Sequence, residues 1–308
     1  MSDSHETHQL KINKIFHADD LTKPDGESQT EQEIIAGEDD RLDYYKVNDA
    51  VKKIADATVI LTGKDSVVQQ SDGSFELQVQ PFRRQNPSTG QLLPPCSGER
   101  FSNQHTGGWC SGFMVGEDII VTAGHCGETE EEIKSTAYIF GFRVGDSDDP
   151  GTTKFSVDQV YFGKELIAHD LSSAGDFAIV RVDRKITATN AVPVKVRSSG
   201  SADIGDNVGV VGYPSGLPVK IAFGAETQVR RKNDPWLVCN LDTYGGNSGS
   251  PVFNADGTIV EGILVRGARD YNINDTDQCF VSNVVANSQG SEAVMKSETF
   301  VDKIPDSN

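Results

Sequence analysis

The chain of 308 residues carries 46 acidic against 28 basic side chains, a formal net charge of −18 with histidine neutral. A surface of that sign repels a nucleic-acid backbone and an anionic membrane, so neither is expected as a partner. The length suffices to bury a core without metals, and no run of about eighteen apolar residues offers a helical membrane span.

Residues 1–33 are polar and acidic, and they lack the apolar content to fold alone. They read as a disordered leader or propeptide. The start, Met1 to His8, shows neither the basic nor the apolar region of a secretory signal. His5, His8 and His17 lie in this solvated segment and are not read as metal ligands. From Ile34 the text changes. Val51, Ile54 and Ala55 recur at helical spacing within 47–57, and the apolar run Val59-Ile60-Leu61 and the alternating Phe75, Leu77 and Val79 read as strands. Residues 83–108, with Pro94-Pro95 and little periodicity, read as a long surface loop ahead of Cys110.

The apolar run Ile119-Ile120-Val121 ends in small residues and delivers His125, followed by Cys126. An acidic stretch from Glu128 to Lys134 reads as a solvated loop. Strands are expected over 138–144 and 155–161, and then Gly175-Asp176 leads into Phe177-Ala178-Ile179-Val180. An aspartate entering an apolar strand is costly unless its charge is hydrogen-bonded, and holding the imidazole of a catalytic histidine is one such use. Thr187 to Pro193 reads as a crossing between two halves, and a second set of short strands follows over 208–213, 237–238, 250–253, 259–265 and 279–281.

Within that second set sits Asp242-Thr243-Tyr244-Gly245-Gly246-Asn247-Ser248-Gly249-Ser250-Pro251. A serine hydroxyl is a poor nucleophile unless a base lies within reach and donors await the oxyanion. The glycines allow the N–H groups of Gly246 and Ser248 to converge beside the Ser248 hydroxyl. Asp270 to Asp277 alternates acids and amides like a calcium loop, yet it lacks the glycine and glutamate such a loop needs at its sixth and twelfth positions. Residues 286–308 read as a polar tail with a short helix around Glu292 to Lys296. Neither a metal nor a cofactor is expected. The spacing of Cys110, His125 and Cys126 fits no common zinc finger.

Thr-Ala-Gly-His-Cys at 122–126, Asp-Phe-Ala-Ile at 176–179 and Gly-Asn-Ser-Gly-Ser-Pro at 246–251 resemble the three catalytic signatures of the trypsin/chymotrypsin superfamily, in its chain order. Gly-Gly-Asn-Ser-Gly-Ser-Pro-Val-Phe at 245–253, Gly-Tyr-Pro at 212–214 and Asp40-Arg41 look closer to its bacterial glutamyl-endopeptidase branch. The resemblance implies an all-β chain of two six-stranded antiparallel Greek-key barrels with the site in the cleft between them. The first barrel would span 34–186 and the second 187–285, with a tail over 286–308 and an active form beginning at Ile34. It also implies a serine endopeptidase working through an acyl-enzyme, with His125 as general base, Asp176 as its orienting partner, Ser248 as nucleophile, and Gly246 with Ser248 as oxyanion donors. Arg/Lys specificity, or an inactive member serving as a binding module, are the alternatives.

The primary pocket would be walled by Asp242, Thr243, Leu264 and Arg266. Thr243 suits an acidic P1 side chain, Arg266 could supply a positive charge where the branch has a histidine aligned with Leu264, and Asp242 stands where trypsin keeps the acid that selects Arg and Lys. Acidic P1 is favoured slightly. The residue before the nucleophile is Asn247, which cannot form the salt bridge that an aspartate makes there in trypsin-like zymogens. Of five cysteines, Cys110 and Cys126 match the superfamily's bridge beside the catalytic histidine. Cys239 and Cys279 flank the nucleophile turn and are expected to form a second bridge, leaving Cys96 as a thiol or a rival partner. Such bridges are expected in a secreted or other oxidising compartment, and the resemblance implies a monomer acting on protein or peptide substrates.

Overall fold

The computed structural model describes residues 35–266 and 270–305. The expected leader, and Ile34 itself, lie outside them.

Six strands form a closed antiparallel barrel: β1 (Thr58–Gly63), β2 (Cys110–Met114), β3 (Ile119–Thr122), β4 (Thr136–Phe140), β5 (Val160–Ser172) and β6 (Gly175–Val182), in the order β2-β3-β6-β5-β4-β1. Their sequences are apolar runs because both faces of the closed sheet are covered: Ile60, Phe113, Val121 and Ile179 on one face and Tyr138 on the other are all fully buried. Each such aliphatic side chain contributes about 1.5–3 kcal/mol by leaving water. Helix α1 (Asp49–Asp56) precedes β1, and the Asn48 side chain caps it by accepting from the N–H groups of Ala50 and Val51.

The second half is an eight-stranded sheet that curves as a half-barrel. Its strands are β7 (Val208–Gly212), β8 (Lys220–Ala222), β9 (Val229–Asn233), β10 (Trp236–Cys239), β11 (Pro251–Asn254), β12 (Val260–Arg266) and β13 (Glu292–Lys296), in the order β9-β10-β13-β12-β11-β7-β8, with Leu42–Asp43 on the outer edge of β8. The described residues are mostly β and have the two-barrel organisation expected, with eight strands in a half-barrel where a second six-stranded barrel was expected.

The boundaries differ from those expected. The N-terminal strap belongs to the second half: Ile35–Ala36 pairs with Val284–Val285, and Leu42–Asp43 pairs with Ile221 and Lys220. A buried ion pair pins it, Asp43 to Lys220 at 2.8 Å. The stretch expected as a tail with a helix is instead β13, hydrogen-bonded between β10 and β12. Glu, Ala, Met and Lys favour helix locally, but Val294 and Met295 fill the slot between two strands, and that packing prevails over propensity. Phe300 then returns to the first barrel, its ring 6.0 Å from that of Phe177. The loop 83–108 is also less irregular than expected, since Gln80–Pro81 pairs with His105–Thr106 and Arg84–Gln85 with Leu92–Leu93.

Cys110 is bonded to Cys126, but Cys279 is bonded to Cys96, which corrects the expected bridge to Cys239. Cys239 is a free thiol in the core of the second half, packed with Leu241, Leu264 and Val294, and burial pushes its pKa up. Cys279 instead lies on a hairpin (Tyr271–Asn274 with Cys279–Ser282) that docks on the proline-rich loop, where Phe280 donates to Pro94 O and Cys96 donates to Phe280 O. The register of that docking makes Cys96 the neighbour.

Candidate active site

His125 and Asp176 are brought together by strand register. β3 pairs with β6 so that Val121 faces Ile179 and Thr122 faces Ala178. The turn that follows Thr122 and the residues that precede Ala178 therefore meet at one end of the barrel, and a slip of one residue would turn Asp176 to the other face. His125 sits in a single 3-10 turn, Gly124–Cys126. Its Nδ1 lies 2.9 Å from Asp176 Oδ2 and 3.1 Å from Oδ1, and its backbone N–H donates to Oδ1 at 3.1 Å. Gly124 permits the approach, because a Cβ there would stand 2.2 Å from Asp170 O and 3.0 Å from Phe177 N. On the outer side, His169 Nε2 is 3.1 Å from Gly124 O.

Burial works against charge on both members of the pair. For His125 the Asp176 charge and hydrogen bond outweigh that burial and hold its pKa above the usual histidine value. For Asp176 the three contacts from His125 likewise overcome burial and hold its carboxyl below the ordinary range.

Ser248 reaches the same place from the second half. Its carbonyl accepts from Ser111 N–H at 2.8 Å, and Cys126 Sγ lies 3.6 Å from that carbonyl oxygen. Gly249, at φ +88°, seats the turn against the first barrel: a Cβ there would lie 2.0 Å from Ser111 O and 2.3 Å from Thr122 Oγ1. The Cys110–Cys126 bridge ties β2 to the histidine turn within this seam, and closing its loop stabilises the fold by about 3 kcal/mol. Among the described residues, neither Gly246 nor Ser248 donates its N–H to another backbone group. Ser248 is only 7% exposed.

Residues 110–261 match the family model described as trypsin-like peptidase domain. The chain carries a trypsin-like peptidase domain. Its relatives by sequence include glutamyl endopeptidases. A glutamyl endopeptidase of Staphylococcus epidermidis is 29% identical over 182 residues, covering 56% of this chain and 61% of that protein. One from Staphylococcus aureus (strain MRSA252) is 25% identical over 154 residues, covering 49% and 41%. The chain thus spans about three fifths or less of the length of these curated relatives. A solved Glu endopeptidase aligns over 88% of this chain and 97% of its own at 14% identity, with a TM-score of 0.48. Kallikrein-related peptidase 10 aligns over 63% and 87% at 16% identity, with a TM-score of 0.43.

The four residues expected to wall the primary pocket of the peptidase domain have different surroundings. Asp242 is buried, and both oxygens are taken by the strap: Oδ1 accepts from Ala36 N–H at 3.0 Å and Oδ2 from Asp40 N–H at 2.7 Å. Burial pushes its pKa up to about 6 against the pull of those two bonds. The Thr243 hydroxyl is buried and donates to Glu292 Oε2 at 2.9 Å. Leu264 lies in the core of the second half, and its backbone bonds to Gly249 and Ser250. Arg266, at the end of β12, is half-buried. Its guanidinium lies 5.0 Å from the Trp236 ring centroid, and its charge lowers the pKa of both His125 and Asp176. Sequence reasoning missed Glu292, whose stretch reads as helix, and the partners of the Gly245–Gly246 peptide, which lie far away in the chain.

Proposed function

We propose that this chain is a serine endopeptidase that hydrolyses peptide bonds through an acyl-enzyme at Ser248. The observation that carries the reading is the grip of the Asp176 carboxylate on His125 Nδ1, which keeps the Nε2 lone pair available at the seam where Ser248 docks. His125 takes the Ser248 proton as the hydroxyl attacks the scissile carbonyl, and the N–H groups of Gly246 and Ser248 receive the oxyanion. As the tetrahedral intermediate collapses, His125 gives that proton to the leaving amine. Water then repeats the sequence on the ester, with the same histidine as base. The two disulfides suit a secreted or other oxidising compartment, and among the described residues no helix is long and apolar enough to cross a membrane.

An acidic P1 residue is the specificity we favour. Arg266 is the positive charge whose field reaches both His125 and Asp176, and a guanidinium pairs a carboxylate through two parallel bonds. A basic P1 side chain has less support, because both Asp242 oxygens already accept backbone N–H groups. Arg266→Ala is expected to lower kcat/KM on a Glu-containing peptide by about tenfold or more, the scale of a lost charge-assisted hydrogen bond. Asp242→Ala tests the alternative on an Arg substrate. Loss of Arg cleavage there would favour the trypsin-like reading, and unchanged activity in both variants would reject both pockets.

A further inference from the structure

An oxyanion hole made of glycine peptides works only if those peptides are held. Gly246, at φ +103°, packs so closely that a Cβ would stand 2.7 Å from Tyr213 O and 3.0 Å from Ser215 N. Nothing within its own stretch fixes the peptide before it. The fixing groups come from three other parts of the chain. The Gly245 N–H donates to both Asp270 oxygens at 3.1 Å. The Gly245 carbonyl accepts from Ser215 N–H at 2.5 Å. The Gly246 carbonyl accepts from the Ser111 hydroxyl at 2.8 Å, and that hydroxyl accepts in turn from Tyr213 N–H at 3.0 Å.

We propose that Asp270, Ser215 and Ser111 are positioning residues, Asp270 holding the peptide before Gly245, Ser215 the Gly245–Gly246 peptide and Ser111 the peptide after Gly246, so that the Gly246 N–H faces the reacting carbonyl. This deepens the endopeptidase reading and rests on it. In a trans peptide the carbonyl of one residue and the N–H of the next point to opposite sides. With the Gly245 oxygen fixed on Ser215, the Gly246 N–H is turned away from Ser215. With the Gly246 oxygen fixed on Ser111, the next N–H, of Asn247, is turned to Tyr244 O at 2.9 Å. Two successive peptides thus lose their freedom to flip.

The clamp is itself supported. Ser215 holds a left-handed conformation at φ +60°, unusual for a residue with a Cβ, and its hydroxyl is 2.7 Å from the Tyr271 hydroxyl. Tyr271 follows Asp270 and opens the hairpin that the Cys96–Cys279 bridge fastens to the proline-rich loop. One docked hairpin therefore supplies the acceptor for Gly245 and the brace for Ser215. Asn247 is neutral, and its side-chain oxygen faces the Ser250 hydroxyl at 3.4 Å, so it offers no charge with which a terminal ammonium could order the loop.

The test compares Asp270→Ala, Asp270→Asn and Ser111→Ala in the full chain. It reads kcat and KM on a peptide cleaved by the wild type, affinity for a peptide aldehyde, whose adduct needs the oxyanion hole, and thermal unfolding. Asp270→Ala is expected to lower kcat at least about tenfold, short of the 10²–10³ for outright loss of an oxyanion donor, with KM within about twofold and aldehyde affinity falling in step. Asp270→Asn keeps an oxygen to accept from Gly245 and is expected to recover most of kcat. Ser111→Ala is expected to act like Asp270→Ala, and it carries the test should the latter fail to fold. Unchanged kcat in the folded variants would overturn the proposal, as would an asparagine variant no better than alanine. A wild type that neither cleaves peptides nor reacts with a serine-directed phosphonofluoridate would overturn the endopeptidase reading itself.

Discussion

Ser248→Ala is expected to abolish peptide hydrolysis, with kcat falling on the order of a millionfold, the size found when the nucleophile is removed from another serine protease. The change is small in structural terms. Ser248 stands between glycines that take up the unusual backbone, Gly246 at φ +103° and Gly249 at φ +88°, so alanine keeps the turn and its seat against Ser111 and Thr122. The backbone donors remain, and a residual rate of about 10³–10⁴ over water is expected from them and from binding alone. Substrate affinity and thermal stability should stay near those of the wild type. Steady-state kinetics on purified variant, beside an unfolding curve, checks this, and near-normal turnover would remove Ser248 from the mechanism.

Asp176→Asn is expected to cost about 10⁴ in kcat, as in the corresponding variant of another triad protease. Both Asp176 oxygens face N–H donors, the His125 ring at 2.9 and 3.1 Å and the His125 backbone at 3.1 Å. An asparagine that keeps the backbone bond turns its NH₂ toward Nδ1, which then has to accept. The imidazole proton moves to Nε2, and the base loses its lone pair. The pH profile should move too. The proposed base, His125, would act when neutral, and the Asp176 charge holds its pKa above the usual value despite burial. Wild-type kcat/KM should therefore rise as pH climbs through that raised value and be lost below it. Without the charge, burial alone acts on the imidazole, so the acidic limb of the variant should shift to lower pH. A limb that stays in place would contradict the electrostatic account.

The residues of the proposed triad stand out in the sequence because each has a local signature: an apolar run ending in small residues before His125, an acid at the head of a buried strand, and a serine framed by glycines. The pocket does not. Asp242 stands in the sequence where trypsin keeps its specificity acid, and what decides its surroundings is the backbone of Ala36 and Asp40, about two hundred positions earlier. Thr243 likewise looks open to substrate until Glu292 takes its hydroxyl, and Glu292 itself sits in a stretch whose residues favour helix. Cysteine parity left Cys96 and Cys239 as rivals for Cys279, a choice made by where the 279–282 strand docks. The supports of Gly245 and Gly246 are non-local as well, since Ser111 is separated from Gly246 by 135 positions. Local pattern thus carries the reacting groups, while the groups that hold or occupy them come from distant chain.

The most direct test of an activated nucleophile at Ser248 is covalent labelling of the folded protein with a serine-directed phosphonofluoridate, followed by peptide mapping. One adduct on Ser248, absent from Ser248→Ala and slowed in His125→Ala, is the predicted result. No adduct on the folded wild type, as an inactive binding module would give, or an adduct on another serine, would contradict it.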